Sequence, residues 1–543
     1  MKNKFAYTYN RSLKTAMAGL LAIGLGVASC SKYTELAPKN AMPAETVFND
    51  SATIELALNG MYNTAAIGSY NDDYSAGRGY PFGAASIEQA EMRGEDMVNL
   101  ATFYEITYKA TYSPTSANNV NMWVNLYALI NQTNTLIDGV RKAAAKGVVS
   151  QAKAAQVEGE ARFMRALAHH EAVINFSRPY ADGAGSKVGV PYRDLPVGTP
   201  EEIQVAMKIG RGTVAEDYTK ILADLDYAEA NLPATPKGKD IARAGKGAAI
   251  ALKTRIKLHM GDWAGVIAEA TKLGTATAGN FVSPINGYKL LPGPDEAFVK
   301  YDNNKESIFS IAQSAATNPN TNAALASMFG PADKNGRGLV ATSPNLYNAS
   351  FWVSDDLRRS ALQVKQLTVK SGKPSQNFYF NYKYRDYLNK ADWAPIIRYA
   401  EVILNAAEAY ARTGNTAQAF LLFNAVRNRA LPPTSTNFLT TPPADMVQAI
   451  LNERRIEFAG EGRRWPDITR LVMDPVYGTG GIPAKVLLTD LKDDGSNYDL
   501  VNRPVTNSRF GKIDYSDFRF IWPLPSTEIL SNPTLKDAQN PGY

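Results

Sequence analysis

Cys30 is the only thiol in the chain, and its position limits what it can do. Four cations (Lys2, Lys4, Arg11, Lys14) and no acid precede it, followed by an apolar run from Ala16 to Ala28 and the ending Val27-Ala28-Ser29-Cys30. A basic start, a short apolar run and small residues before a cleavage point make an export signal. The run falls well short of the roughly 20 residues that a membrane-spanning helix needs. A lone thiol in an exported chain has no intrachain disulfide partner, whereas acylation after cleavage gives it a use. The alternative is a stray or buried cysteine behind an ordinary signal. On the acylation reading, residues 1–29 are a lipoprotein signal and the mature chain hangs from a membrane at Cys30.

Other reactive types are arranged less suggestively. Glu453 and Glu457 share a helix face at a spacing of four, which could pair two carboxylates for acid–base work. Arg454, Arg455, Arg463 and Arg464 surround them, so ion pairing between helices is the better reading, as it is for Glu158, Glu160, Arg162 and Arg165. A glycosidase pair needs spatial rather than sequential proximity, and nothing singles one out. No catalytic residue is assigned. His169 and His170 are adjacent and diverge on a helix, and His259 stands alone, so no metal set forms. Asp490 to Asn497 hints at calcium, but Lys492 and Val501 occupy the third and twelfth positions, where an EF-hand needs an oxygen ligand. An irregular calcium site stays open there without being expected, and no cofactor is implied.

The aromatic residues offer more. They make up 10% of the chain, and many lie in polar stretches rich in Gly, Asn and Pro. Sugar C–H faces stack on rings, while sugar hydroxyls need carboxylate, amide and guanidinium partners. Three stretches interleave these types: Tyr70 to Phe82, Tyr347 to Trp352 and Phe378 to Tyr387. Asp73, Tyr74, Arg78, Tyr80 and Phe82 from the first, with Tyr347 and Trp352 from the second, are the candidate ligand contacts. In the third stretch the alternation predicts a strand with one buried face.

The elements that must hold these stretches are helical. Ile396 to Ala430 carries apolar residues at three- and four-residue spacing, broken at Thr413-Gly414-Asn415, with Thr416 able to cap a second helix. Ala242 to Leu273 repeats this grammar around Met260-Gly261-Asp262. A third pair joins 156–176 to 212–232 across a proline-bearing loop over 177–210. A weaker fourth pairs 51–66 with 118–146. Helices over 445–460 and 466–472 follow. Such pairs resemble tetratricopeptide units. The predicted fold is mainly α, with four tetratricopeptide-like pairs forming a superhelical scaffold and an irregular loop-rich lobe with minor β. Residues 30–50 read as a lipidated tether and 51–543 as one domain. Its scaffold lies at about 51–66, 118–273 and 396–472, and its ligand-binding lobe at about 68–114, 275–393 and 474–543.

Charge narrows the partners. The formal charge of +6 falls to about +2 once the signal is removed, and no dense basic block remains, so nucleic acid is excluded. Four stretches then resemble the SusD/RagB family of outer-membrane nutrient-binding lipoproteins. They are the lipobox-like ending at Cys30 with its Tyr33-Thr34-Glu35-Leu36-Ala37-Pro38 tether, and Glu158-Gly159-Glu160-Ala161-Arg162-Phe163-Met164-Arg165-Ala166. The others are Glu453-Arg454-Arg455-Ile456-Glu457-Phe458 running to Glu461-Gly462-Arg463-Arg464-Trp465-Pro466-Asp467, and the tail from Trp522-Pro523-Leu524-Pro525 to Asn540-Pro541-Gly542-Tyr543. Ala459 departs from the large apolar residue the family favours. The resemblance implies a non-enzymatic cell-surface lipoprotein of the outer membrane. It would capture a glycan, or in some members a peptide, and pass it to a TonB-dependent transporter barrel. A surface glycoside hydrolase is the remote alternative.

Overall fold

A computed structural model describes residues 44–69, 77–236, 241–276, 279–368, 376–492 and 496–543. The chain divides into two compact units, residues 1–55 and 56–543. The first includes the short helix Ala44–Val47 and the start of the helix Ser51–Ile67. The second holds the helical scaffold and the lobe.

The protein is mainly α. Gln151–Phe176 opens at Ser150, whose side chain accepts from the Lys153 amide, and is buried along most of its length from Val157 onward. Its small residues allow close approach: a Cβ on Gly159 would sit 3.1 Å from a Leu232 methyl. It packs against Ala117–Ala145 on one side and Val214–Asn231 on the other. The 156–176 and 212–232 pair is therefore present. Ala117–Ala145 packs closely on Gln151–Phe176, because the short Lys146–Ser150 turn folds the two together. The 177–210 loop also holds a helix, Pro200–Ala206, started by the reciprocal Thr199–Glu202 capping box.

Two tight helix hairpins follow. Lys246–Met260 stops at Gly261, whose φ of 71° is left-handed, and Asp262 caps Trp263–Lys272. Tyr399–Arg412 ends before Gly414 at φ 86°, and Asn415, not Thr416, caps Thr416–Asn428 through the Gln418 amide. Residues 396–398, predicted helical, lie in the strand Ala394–Arg398, antiparallel to Ser307–Ile311. Pro395 and the β-branched pair Ile396-Ile397 suit that extended backbone better than a helix start.

The lobe carries short antiparallel pairs: Met97–Asn99 with Val340–Thr342, Gln363–Thr368 with Gln376–Asn381, and Gly481–Ile482 with Ile513–Asp514. Two-stranded ribbons are marginal alone. The first two lean on a shared core, in which Phe378 and Phe380 pack with Val98, Ala341, Val486 and Leu491. Phe378 and Phe380 are buried while Tyr379 between them is half-buried, the alternation the sequence predicts for that strand.

Buried ions join lobe to scaffold. Glu457 meets Arg358 at 3.0 Å, Arg398 at 2.9 Å and Arg429 at 2.7 Å, and Glu453 meets Arg358 at 2.6 Å. Arg398 reaches Glu306 at 2.6 Å and Glu461 at 2.7 Å, and Lys383 also holds Glu461 at 2.6 Å. The predicted ion-pairing role of this cluster is what the structure displays. The tail is fixed by Arg93, whose guanidinium lies 3.5 Å from the Trp465 ring centre and 4.8 Å from that of Trp522. It also donates to Asn175 Oδ1 at 2.9 Å and to the Phe520 carbonyl at 2.6 Å.

Candidate functional site

The sequence-predicted contacts separate once placed. Cys30, Asp73 and Tyr74 lie outside the described residues. Tyr80, Phe82, Tyr347 and Trp352 are buried, with exposures of 0%, 4%, 5% and 1%. Their expected exposure is corrected, because each ring is spent on packing. The Tyr80 hydroxyl accepts from Gln89 Nε2. Tyr347 stacks on Tyr379 at 4.2 Å, and the Arg359 guanidinium covers the Tyr347 and Trp352 rings at 4.7 and 4.2 Å. Arg78 is half-buried, its guanidinium 5.9 Å from the half-buried Phe103 ring.

Local geometry sets Arg78 at this surface. Gly79 adopts φ 72°, and a Cβ there would approach the Ala84 amide at 2.6 Å and the Ala323 carbonyl at 3.3 Å. Only glycine tolerates both the sign of φ and the contact. Tyr80 is then buried beneath, and the helix Ala84–Arg93 starts directly afterwards. Phe103 meets Tyr104 edge-on at 4.8 Å, and Tyr104 lies beside Glu88. Burial pushes the Glu88 carboxyl up to about 8, with Tyr104 and Arg337 offsetting part of the effect.

Beside Ala323 the chain makes a second feature. The helix Leu325–Phe329 leads into a loop closed by the Gly336 amide on the Pro331 carbonyl and the Gly338 amide on the Gly330 carbonyl, both at 2.9 Å. A Cβ on Gly336 would sit 2.1 Å from the Gly330 oxygen, so the backbone itself fills that space. The loop carries Lys334, half-buried, and Arg337, exposed. Lys334 Nζ lies 5.8 Å from the Tyr382 ring centre and the Arg385 guanidinium 4.5 Å from it. Tyr387 packs on Gly330. The 312–322 stretch runs alongside, with Asn318 Nδ2 donating to the Asn389 carbonyl at 3.2 Å and with Asn320 and Asn322 exposed.

These neighbouring segments carry half-buried rings (Phe103, Tyr382, Tyr387), guanidinium groups (Arg78, Arg337) and exposed amides, residue types suited to a saccharide surface. Sequence reasoning missed Phe103, Arg337 and the asparagine-rich 318–322 stretch. The available signal was their place in the irregular lobe. Tyr382 and Tyr387 lie past the end of the strand at Asn381, so the strand reading does not reach them.

A cavity of about 430 Å³ lies elsewhere, between Ala117–Ala145, the Pro200–Ala206 helix and the Ser526–Ser531 helix. Its walls include Ala128, Leu195, Val197 and Ile203. Its amides are already used: Asn131 exchanges bonds with both Val197 backbone groups, and Asn134 donates to the carbonyls of Arg193 and Leu195. Of the histidines, His259 does not stand alone: its ring meets that of His170 edge-on at 4.8 Å. His169 stacks on Tyr192 at 3.8 Å and binds the Arg165 carbonyl and Arg193 amide, and burial holds it well below the usual imidazole range. In the calcium candidate, Asp490 pairs with Arg509 at 3.0 Å and Asn497 closes on Lys492, while Asp493 and Asp494 fall outside the described residues.

Comparison with known proteins identifies the scaffold. Residues 363–543 match the model of the SusD family, and residues 32–258 match a second SusD-like model described as starch-binding and associating with the outer membrane. SusD-like protein P2 of Formosa agariphila is 26% identical over 96% of this chain and 98% of its own length, and its P25 counterpart is 23% identical over 95% and 97%. A SusD superfamily crystal structure from Bacteroides thetaiotaomicron covers 91% of this chain and 100% of its own, at 23% identity and a TM-score of 0.71. A laminarin-binding SusD-like protein superimposes with a TM-score of 0.64 at 22% identity, over 91% of this chain and 100% of its own. With SusD-family models matching residues 32–258 and 363–543 and a SusD superfamily fold covering 91% of the chain, the protein belongs to the SusD/RagB family.

Proposed function

We propose that this protein is a cell-surface binding lipoprotein. It captures a glycan on the lobe and delivers it to a partner TonB-dependent transporter in the outer membrane. Family membership supports the class of role, and the laminarin-binding relative supports a saccharide ligand. The observation that carries the proposal is the make-up of these lobe segments, which carry half-buried Phe103, Tyr382 and Tyr387, the guanidinium groups of Arg78 and Arg337 and exposed asparagines. Rings take the C–H face of a sugar, and forked guanidinium groups and amides take its oxygens. Glu453 and Glu457 are held in ion pairs, which favours binding over hydrolysis at that cluster. Residues 1–29 act as the signal, Cys30 as the acylated anchor and 30–50 as the tether.

Calorimetry of the mature chain with laminarin oligosaccharides and a wider glycan panel tests this. Phe103→Ala and Arg78→Ala should each weaken binding about tenfold, the effect of about 1.4 kcal/mol. Glycan binding that survives both changes would move the site off this face. A peptide ligand is the second reading, favoured by the cavity, whose wall sets Leu195, Val197 and Ile203 beside Arg193 and Glu528. Binding of peptides and of no glycan would put it first. For the anchor, Cys30→Ala should move the protein out of the membrane fraction and abolish palmitate labelling.

A further inference from the structure

Arg337 stands apart from most cations of the scaffold. Arg358, Arg398, Arg429, Arg454 and Arg470 all end on buried carboxylates. Arg337 is exposed, and its side-chain contact is a weak one, from NH1 to the Met328 sulfur at 3.6 Å. Lys334, three residues earlier, rests over the Tyr382 ring. Neither cation forms an ion pair among the described residues. Two of the acids around them are otherwise engaged. Asp295 pairs with Arg385, and Asp386 caps the Asn389 amide. Asp333 is exposed at the loop tip. Glu88, the buried carboxyl on this side, stays protonated at neutral pH, so it does not cancel the Arg337 charge.

The backbone beneath Arg337 is firmly held. Its amide donates to the Ser327 carbonyl at 2.7 Å, and the glycine closures at 336 and 338 flank it. Arg78 stands on the neighbouring loop, beside Gly79, which rests against Ala323 just before the helix to which Arg337 is tied. A fixed backbone carrying an uncommitted guanidinium beside ring faces is prepared for a planar or tetrahedral oxyanion, which the guanidinium fork binds through two parallel hydrogen bonds.

We propose that the saccharide taken by this face is acidic, with its carboxylate or sulfate held by Arg337 and Arg78 at its side. The inference rests on the glycan-binding role of the lobe and narrows it to a charge class. The test is calorimetry of the mature chain with four probes: oligogalacturonate, chondroitin sulfate oligosaccharide, laminarin oligosaccharide and maltoheptaose. One or both acidic probes should bind at least tenfold more tightly than the neutral ones, and the better of the two assigns carboxylate or sulfate. Raising NaCl from 50 to 500 mM should weaken that binding several-fold. Arg337→Ala should lower the acidic affinity about tenfold with an unchanged melting temperature, and Arg337→Lys should recover only part. Neutral probes that bind as well as or better than the acidic ones, or an acidic affinity indifferent to Arg337→Ala, overturn the charge class while leaving glycan capture standing. Binding of none of the four overturns this inference, and absence of binding across the wider glycan panel overturns the proposed function itself.

Discussion

At the scale of single residues, what matters is whether a ring or charge is spent inside the fold. Trp352 is spent: it is 1% exposed, touches Tyr347 edge-on at 5.8 Å and lies under Arg359. Trp352→Ala should therefore cost about 3–5 kcal/mol of stability, measured by denaturant unfolding. A negligible loss would show that the ring is not a packing element. Glu88 yields a pH prediction. Its folded pKa of about 8 lies above the ordinary carboxylate value of 4.5. The folded state thus binds the proton more tightly, and stability falls as pH rises from about 4.5 to about 8. Glu88→Gln removes that decline. The variant should gain stability relative to the parent at pH 8.5, on the order of a few kcal/mol, and match it more closely at pH 5. A gain independent of pH would refute the assignment. Glu91 is a poor site for the same change, because its Oε1 accepts from the Gly460 and Gly462 amides.

At the scale of elements, the helix hairpins depend on one left-handed residue each. Gly414 sits at φ 86° with open space where a Cβ would point, so a substitution there tests backbone conformation alone. Gly414→Ala should cost about 1 kcal/mol, and Gly414→Asn less, because Asn tolerates the left-handed region. Thermal melts of the two variants check the order, and equal melting temperatures for Ala and Gly would contradict it. Pro200–Ala206, by contrast, owes its start to side chains, the reciprocal Thr199–Glu202 box. These short elements matter because they set the loops between them, and the lobe face is made of such loops.

At the scale of the molecule, buried ions join the α scaffold to the lobe. Glu457 serves three arginines from three different segments, so its loss leaves Arg358, Arg398 and Arg429 short of charge at once. Removing one partner of a buried pair typically costs about 3–5 kcal/mol. Glu457→Gln should fall in that range and lower expression. The three arginines hold the Glu457 carboxyl far below its usual range, and Arg454 and Arg470 do the same for Asp467. Glu95, beside Arg464 and Arg455, is lowered to about 2. Depressed carboxylates supply stability that is whole above their unfolded values and fades as pH falls through the folded ones. The parent protein should therefore stay folded to about pH 3 and unfold below it, with Glu457→Gln unfolding at higher pH. Coincident acid transitions, followed by circular dichroism, would count against the network.

The sequence by itself determined the helical periodicities, the Gly261 and Gly414 breaks and the ion-pairing character of Glu453-Arg454-Arg455-Ile456-Glu457, and it is the whole basis of the proposed anchor at Cys30. Each of these is local: a run of residues, a spacing or a left-handed turn is complete within a short stretch of chain. The family resemblance was equally legible, because its motifs are contiguous. Partner choice was not. The 396–398 stretch carries a helical pattern yet pairs with Ser307–Ile311, a segment some 90 residues away that no local pattern reveals. The candidate site divided along the same line. Tyr80, Phe82, Tyr347 and Trp352 have the composition of a binding loop, but whether a ring faces solvent or core depends on what folds over it. Arg359 covers Trp352, and Gln89 engages Tyr80. Conversely, the proposed face draws on Phe103, Arg337 and Tyr387 from three separate segments, whose neighbourhoods are linked where Gly79 meets Ala323 and Tyr387 meets Gly330. Tertiary packing decides which residues a site can use, since exposure and convergence arise from contacts between segments remote in sequence.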